Sequence, residues 1–251
     1  MLNPRKIDNA LEKSLATARV FLHEHANEKG IQDTYGYFTS HPVAGLNQKR
    51  LRLMLTLMED RSENLKRPLR ILDLACGGGL IACAAAAMNH NVLGMDLSAQ
   101  EIHLAELFRN RMGLETKFRQ TDLLKNPDWE QDAEKALGGR PDFIILAYAL
   151  HHLPGVEGFI ERLSHWLSPD TQLLINEENP NSPLFRLKHM VRTFIQKDTD
   201  VEWHRTYAGW KKALEAGKFR VAPAQGIDVV PKLGQIFPLR CWSLVFTASK
   251  G

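Results

Sequence analysis

The chain has 251 residues, 44% of them hydrophobic and 24% charged, which predicts one globular domain with a large core, with or without a lid. Its formal net charge of +3 comes from 32 basic and 29 acidic residues, a balance that does not by itself predict a nucleic-acid partner. Three scattered cysteines without metal-ligand spacing are typical of a reduced cytoplasmic protein. No signal peptide is visible, and the longest apolar run is too short to span a bilayer.

Helical periodicity opens the chain. Apolar residues recur at helical spacing over residues 5–28, and Gly30 is expected to end this first helix. A second helix is predicted from Leu46 to Leu65. Between them, residues 35–42 are rich in aromatic side chains and are predicted to form a loop. Two interpretations stay open for this segment: ordinary packing onto the core, or a lid in which Tyr35 or Tyr37 contacts a ligand.

The most informative stretch covers residues 69–80 and reads Leu-Arg-Ile-Leu-Asp-Leu-Ala-Cys-Gly-Gly-Gly-Leu. It predicts a buried strand, a tight turn at the glycines, and a helix over residues 81–88. Because glycine lacks a Cβ, such a turn can adopt positive φ and a ligand can come close to its backbone. The free N–H groups of the following helix point into the same space and favour a carboxylate or a phosphate.

Two cofactors compete for this turn. Gly77, Gly79 and Ala82 fit the dinucleotide fingerprint, which is weak on its own. Asp73 argues against it, because a fixed carboxylate repels a pyrophosphate and attracts an ammonium or a sulfonium. The stretch resembles motif I of class I S-adenosylmethionine-dependent methyltransferases, Asp-x-Gly-x-Gly-x-Gly, with Ala75 where that family usually has its first glycine. A glycine turn without a ligand is the remaining alternative.

The resemblance covers about residues 65–250 and implies a Rossmann-like α/β fold. Its seven-stranded, mostly parallel sheet has an antiparallel last strand and helices on both faces. Residues 1–65 are then a helical N-terminal lid, and residues 66–251 a methyltransferase domain with a lid insertion at about 180–206. The implied cofactor is S-adenosylmethionine (SAM), held in part by Asp73, Ala75, Gly77 and Gly79, with Tyr35 of the lid against it.

The second strand is predicted over residues 91–96 and ends in an acid. Asp96 lies one strand–helix–strand step beyond Asp73. Its carboxylate can accept hydrogen bonds from both ribose hydroxyls, or it can cap the helix that begins near Ser98. Leu97 is expected to supply apolar surface for the adenine.

A third strand is predicted over residues 116–120, followed by Asp122 and Leu123. The resembling family has an acid here that accepts a hydrogen bond from the adenine amino group, and Asp122 matches it by position. The polar residues 125–140 are expected to form a surface helix or loop.

A continuous apolar run between Pro141 and Pro154 predicts a central parallel strand, buried on both faces. It ends in His151 and His152, a segment that resembles the post-motif IV region of quinone-biosynthesis-type and natural-product methyltransferases. Adjacent histidines seldom face the same way. One is expected to hold the loop and the other to take a proton from a substrate hydroxyl, with packing or support of the cofactor as the alternative.

A fifth strand, predicted over residues 172–176, leads to Glu177. This residue is the second candidate base, and a solvated loop acid is the alternative. The insertion that follows carries apolar and basic side chains, and its residues 186–192 could serve as a lid, grip an anionic substrate or contact a membrane surface. A helix over 207–217 and a strand over 240–250 complete the predicted fold.

Together these features predict a SAM-dependent methyltransferase that acts on a small molecule, with oxygen favoured over nitrogen or carbon as the acceptor because of the histidines. The alternatives are an RNA- or protein-modifying methyltransferase and a non-catalytic binding protein of the same fold. Neither a metal site nor a nucleic-acid partner is expected. The sequence leaves the substrate and the oligomeric state open.

Overall fold

A computed structural model of the chain describes residues 3–25, 28–183, 185–187, 190, 204–227 and 243–251. The chain divides into two compact units, Met1–Ile145 and Leu146–Gly251. Strands and helices alternate along most of it, as predicted for an α/β protein. The predicted separation of a lid from a methyltransferase domain at residues 65 and 66 is a functional division, and it stays a prediction.

Three helices open the first unit: α1 (Pro4–Glu24), α2 (Lys29–Thr39) and α3 (Ala44–Leu65). The prediction that Gly30 ends the first helix is wrong, since α1 ends at Glu24 and Gly30 lies in α2. The prediction of a loop from residue 35 is also wrong as far as Thr39. Ile31 and Tyr35 are four residues apart and both fully buried, so tertiary packing stabilises a helix that glycine and aromatic residues do not favour locally.

The first unit contains a parallel sheet in the order β3-β2-β1-β4. Its elements are β1 (Arg70–Leu74), α4 (Leu80–Ala86), β2 (Asn91–Asp96), α5 (Ala99–Met112), β3 (Lys117–Gln120), α6 (Trp129–Leu137) and β4 (Phe143–Ala147), whose last two residues fall in the second unit. Strand β1 lies between β2 and β4, with Asp73 opposite Gly94 and Ile145. Because β1, β2 and β3 run parallel, the turns that follow them lie at one edge of the sheet.

An ionic contact fixes the start of β1 beside the start of β4. Arg67 donates two hydrogen bonds to Asp142, at 2.8 and 2.7 Å, and the backbone N–H of Arg70 donates a third at 2.8 Å. Partial burial alone would raise the pKa of Asp142, but these bonds hold it well below its ordinary value. The register between the two strands is therefore anchored at the end away from the glycine turn.

The second unit contains an antiparallel sheet. After a 3-10 turn at Leu150–His152 come α7 (Val156–Trp166), β5 (Gln172–Glu178), α8 (Tyr207–Ala216), β6 (Phe219–Val221), β7 (Gln225–Ile227) and β8 (Ser243–Lys250). Strand β8 pairs antiparallel with β5, and the short β6 and β7 both pair with β8. The antiparallel last strand and the predicted α/β class are confirmed. The described residues form eight strands where seven were predicted, and β5 extends two residues further than expected.

Candidate active site

The turn after β1 has the backbone conformation that the glycines predicted. Gly77 and Gly79 have φ of +50° and +72°. Ala75 adopts φ of +55°, a left-handed conformation that costs an L-residue roughly 1–2 kcal/mol and that glycine adopts freely. A Cβ on Gly79 would lie 2.6 Å from a ring carbon of Phe118, so the turn has no room for a side chain there.

Asp73 carries a buried carboxylate with unused hydrogen-bonding capacity. The residue is 2% exposed, and its Oδ2 has no hydrogen-bond partner among the residues that the structure describes. Burial and the nearby charge of Asp96 raise the pKa of Asp73 to about 8, against a hydrogen bond from the backbone of Ala82. A buried polar atom without a partner is costly. A ligand that brings a positive charge or a donor would remove that cost, so the position fits a cationic cofactor.

Asp96 joins the end of β2 to the glycine turn. Its Oδ2 accepts from the backbone N–H of Gly77 at 2.8 Å, and its Oδ1 accepts from that of Ser98 at 2.9 Å. The cap of α5 is Ser98 itself, which accepts from the backbone N–H of Glu101 at 3.2 Å. Each carboxylate oxygen has a second lone pair, so Asp96 can still accept from ribose hydroxyls. Ribose binding stays a prediction.

Tyr35 lies behind the glycine turn. Its hydroxyl is 2.7 Å from the carbonyl oxygen of Gly78, to which it donates, and 3.0 Å from that of Leu104. Its ring stacks on Phe108 with the centroids 4.8 Å apart, and the residue has no exposed surface. This placement supports a role in holding the turn. It offers no surface for the direct contact with a cofactor that the sequence predicts.

The remaining predicted adenine contacts follow β2 and β3. Leu97 is 64% exposed and so presents an apolar surface to solvent, whereas Leu123 is 7% exposed. Oδ1 of Asp122 accepts from the backbone N–H groups of Leu124 and Lys125, at 3.0 and 3.1 Å. Asp122 therefore closes a local turn, and its contact with an adenine amino group stays a prediction.

In the second unit, His151 and Glu177 form a buried pair. Nδ1 of His151 lies 2.5 Å from Oε2 of Glu177, and the side chains are 5% and 1% exposed. The other oxygen of Glu177 accepts from the backbone N–H of Leu150 at 2.9 Å. A hydrogen bond to an ionised carboxylate requires the hydrogen to be on Nδ1 of His151. Glu177 belongs to β5 and is buried, so the alternative of a solvated loop acid is wrong.

Two further histidines surround His151. His152 is exposed, and its ring centroid is 4.0 Å from that of His151. His204 stacks on His151 at 4.7 Å with an interplanar angle of 23°, and Phe185 meets it edge-on at 4.9 Å. Sequence reasoning missed His204, because it lies near the end of the insertion and no motif surrounds it. Most of that insertion lies outside the described residues, including residues 188–189 and 191–203, so its lid, anion and membrane interpretations stay predictions.

Sequence reasoning also missed Glu101 in the first unit. Ser98 and Glu101 have the spacing of a capping box, in which the acid bonds back to the N–H of the cap residue. That N–H bonds to Asp96 instead. The carboxylate of Glu101 turns toward the glycine turn, where its Oε2 is 3.6 Å from the position a Cβ on Gly77 would take. Thr34 of α2 donates to it at 3.3 Å.

Over the parts of the chain that the structure describes, no group of three or more His, Cys, Asp or Glu side chains could hold a metal ion. None of the helices in those parts combines the length and the apolar character needed to cross a membrane.

Comparison with known proteins gives one consistent result. Residues 46–228 match the family described as "Methyltransferase domain". The ubiquinone biosynthesis O-methyltransferase of Dinoroseobacter shibae is 27% identical over 187 residues, which cover 73% of this chain and 71% of that protein. The enzyme of the same name from Azorhizobium caulinodans is 23% identical over 207 residues, which cover 79% of this chain and 77% of that protein.

Solved structures resemble the fold. A SAM-dependent methyltransferase from Mesorhizobium loti superposes with a TM-score of 0.58 at 22% identity, over 82% of this chain and 98% of its own. The magnesium protoporphyrin IX methyltransferase of Synechocystis was solved with bound S-adenosylhomocysteine (SAH). It superposes with a TM-score of 0.59 at 17% identity, over 93% of this chain and 100% of its own.

Proposed function

This chain belongs to the methyltransferase domain family, and we propose that it transfers the methyl group of SAM to a hydroxyl oxygen of a small molecule. The class of enzyme and the cofactor follow from the family. The observation that supports oxygen as the acceptor is the buried contact between His151 and Glu177. The relatives named ubiquinone biosynthesis O-methyltransferases favour the same acceptor atom.

The residues of the first unit fit SAM. The unpartnered oxygen of Asp73 suits the positive charge of the cofactor, and the glycines, which lack a Cβ, would allow a ligand to approach the backbone of the turn. The hydroxyls of its ribose would complete the hydrogen bonding of Asp96. Bound there, SAM supplies an electrophilic methyl group whose carbon–sulfur bond breaks as the bond to the acceptor forms. The proposed set is Asp73, Ala75, Gly77, Gly79, Asp96, Leu97, Asp122 and Leu123.

The residues of the second unit then handle the proton. In this proposal Glu177 accepts a hydrogen bond from Nδ1 of His151 and so orients the imidazole ring. The proposed role of His151 is to take the proton of the hydroxyl as the oxygen forms its new bond, with the buried carboxylate stabilising the resulting imidazolium. Glu177 is thus a positioning residue in this scheme. Since its second oxygen already accepts from Leu150, the pair is held in one geometry.

The test begins with an acceptor. Mass spectrometry of ligands that copurify with the protein, followed by a screen of phenols, catechols, alcohols and amines with methyl-labelled SAM, identifies it. We then expect His151→Ala to lower kcat about 10²–10⁴-fold and to leave the affinity for SAM nearly unchanged. His152→Ala is the matched control, because this neighbouring histidine is exposed. If single-turnover transfer by both variants exceeds about a tenth of the wild-type rate, the histidine is not the base.

The same screen separates the alternatives. Transfer to RNA or protein but to no small molecule would favour a macromolecular substrate, and SAM binding without transfer to any acceptor would favour a binding protein. The cytoplasmic location predicted from the composition, the oligomeric state and a peripheral membrane contact through residues 186–192 stay predictions.

A further inference from the structure

We propose that Glu101 is an additional acidic residue of the cofactor site, and that its negative charge makes the site favour the sulfonium of SAM over the neutral thioether of the product SAH. The inference rests on SAM as the cofactor. It goes beyond the motif residues, since nothing in the glycine-turn pattern or in the acid after β2 points to a residue in the first turn of α5.

The position of Glu101 is the first observation. Its Oε2 approaches Gly77 from the side-chain side, 3.6 Å from the site of a Cβ. On the other side, the N–H of Gly77 is bonded to Asp96 at 2.8 Å. One residue of the turn is therefore flanked by two carboxylates, and these are close enough for Asp96 to affect the titration of Glu101.

The charge balance is the second observation. Within the described ranges, no Lys, Arg or His side chain forms an ion pair with Asp73, Asp96 or Glu101. The unpartnered Oδ2 of Asp73 lies in the same part of the fold, at the end of β1. The neighbouring carboxylates of Asp96 and Glu101, with no ion-paired basic partner in the described ranges, create a negative potential, which a cation from outside relieves.

The local structure gives Glu101 no other strong partner. The capping-box bond is absent, since the N–H of Ser98 is bonded to Asp96. The bonds from Thr34 are long, at 3.3 and 3.4 Å, and a neutral glutamine could accept them equally well. Burial, and then Asp96, raise the pKa of Glu101, so keeping this carboxylate ionised here has a cost that the hydrogen bond from Thr34 offsets only in part. A positively charged ligand offsets it.

SAM and SAH differ by one methyl group and by the positive charge on sulfur, which makes them a matched pair of probes. A nearby carboxylate attracts the sulfonium of SAM and has no such interaction with the neutral sulfur of SAH. In contrast, a carboxylate that only bonds a ribose hydroxyl or the amino group contributes equally to both. The ratio of the two dissociation constants therefore isolates the charge effect.

The experiment is isothermal titration of the purified full chain with SAM and with SAH, for wild type and Glu101→Gln. We expect the ratio Kd(SAM)/Kd(SAH) to rise about fivefold or more in the variant, the size of one partly screened charge interaction. Glu106→Gln is the control, since it removes one acidic charge from the same helix five residues further along. It should leave the ratio within about twofold of wild type, because screening in salt limits the reach of a distant charge.

Glu101→Asp keeps the charge and should also keep the ratio, which separates charge from shape. If Glu101→Gln weakens SAM and SAH equally, or changes neither, the proposal is overturned. A wild-type chain that binds neither compound would instead refute the cofactor assignment itself. Circular dichroism of each variant before titration verifies that the fold is intact.

Discussion

Replacing Asp73 by asparagine should change how the stability of the chain depends on pH. Burial and Asp96 raise the pKa of Asp73 to about 8 in the folded protein, from an ordinary value of 3.8. Between these values the folded state holds a proton that the unfolded state has released. The contribution of Asp73 to the free energy of unfolding is then fully present below about pH 4. It falls by about 1.4 kcal/mol per pH unit above that value and is lost once the pH passes the folded pKa.

Asparagine has no proton to lose, so its side chain contributes no such slope. The unfolding free energy of wild type minus that of Asp73→Asn should therefore fall by about 3 kcal/mol between pH 5 and 7. Urea denaturation without cofactor, followed by circular dichroism at pH 5, 6 and 7, measures it. Any constant cost of burying the amide cancels in the slope, as do the other titrating groups.

Asp142→Asn serves as the control, because Arg67 and Arg70 hold the pKa of Asp142 below its ordinary value. That carboxylate is ionised throughout the same pH window in both states, so its variant should be destabilised by a constant amount. Its stabilising effect is lost only as the pH falls below about 4. Parallel pH curves for wild type and Asp73→Asn, with differences constant within about 0.5 kcal/mol, would refute the argument that Asp73 is buried without compensation.

Two further variants test the surroundings of the glycine turn. Tyr35→Phe removes the hydroxyl bonded to the carbonyl of Gly78 and leaves that buried acceptor without it, so we expect a loss of about 1–3 kcal/mol in urea denaturation. Tyr37→Phe, the same change two residues later, should cost less than about 0.5 kcal/mol, and equal effects would argue against the hydrogen bond. Asp96→Ala should weaken SAM binding by roughly 2–3 kcal/mol in calorimetry, and an unchanged dissociation constant would limit Asp96 to bracing the turn.

The sequence by itself determined the local parts of this fold. Residues 91–96 form a strand with the predicted bounds, and Gly77 and Gly79 take the positive φ that their turn required. These features depend on the alternation of apolar residues and on steric limits at single residues, which the order of amino acids states directly. Asp73 and Asp96 could be singled out for the same reason, since each stands at the end of a recognisable strand.

Only the tertiary structure decided which side chains meet. Tyr35 bonds to Gly78 across 43 positions of sequence, and His151 to Glu177 across 26. Burial of Tyr35 turned a predicted loop into α2, and the extension of β5 moved Glu177 from an expected loop into the interior. Such contacts depend on packing between distant segments, and packing outweighs the small local preferences that a sequence pattern reports.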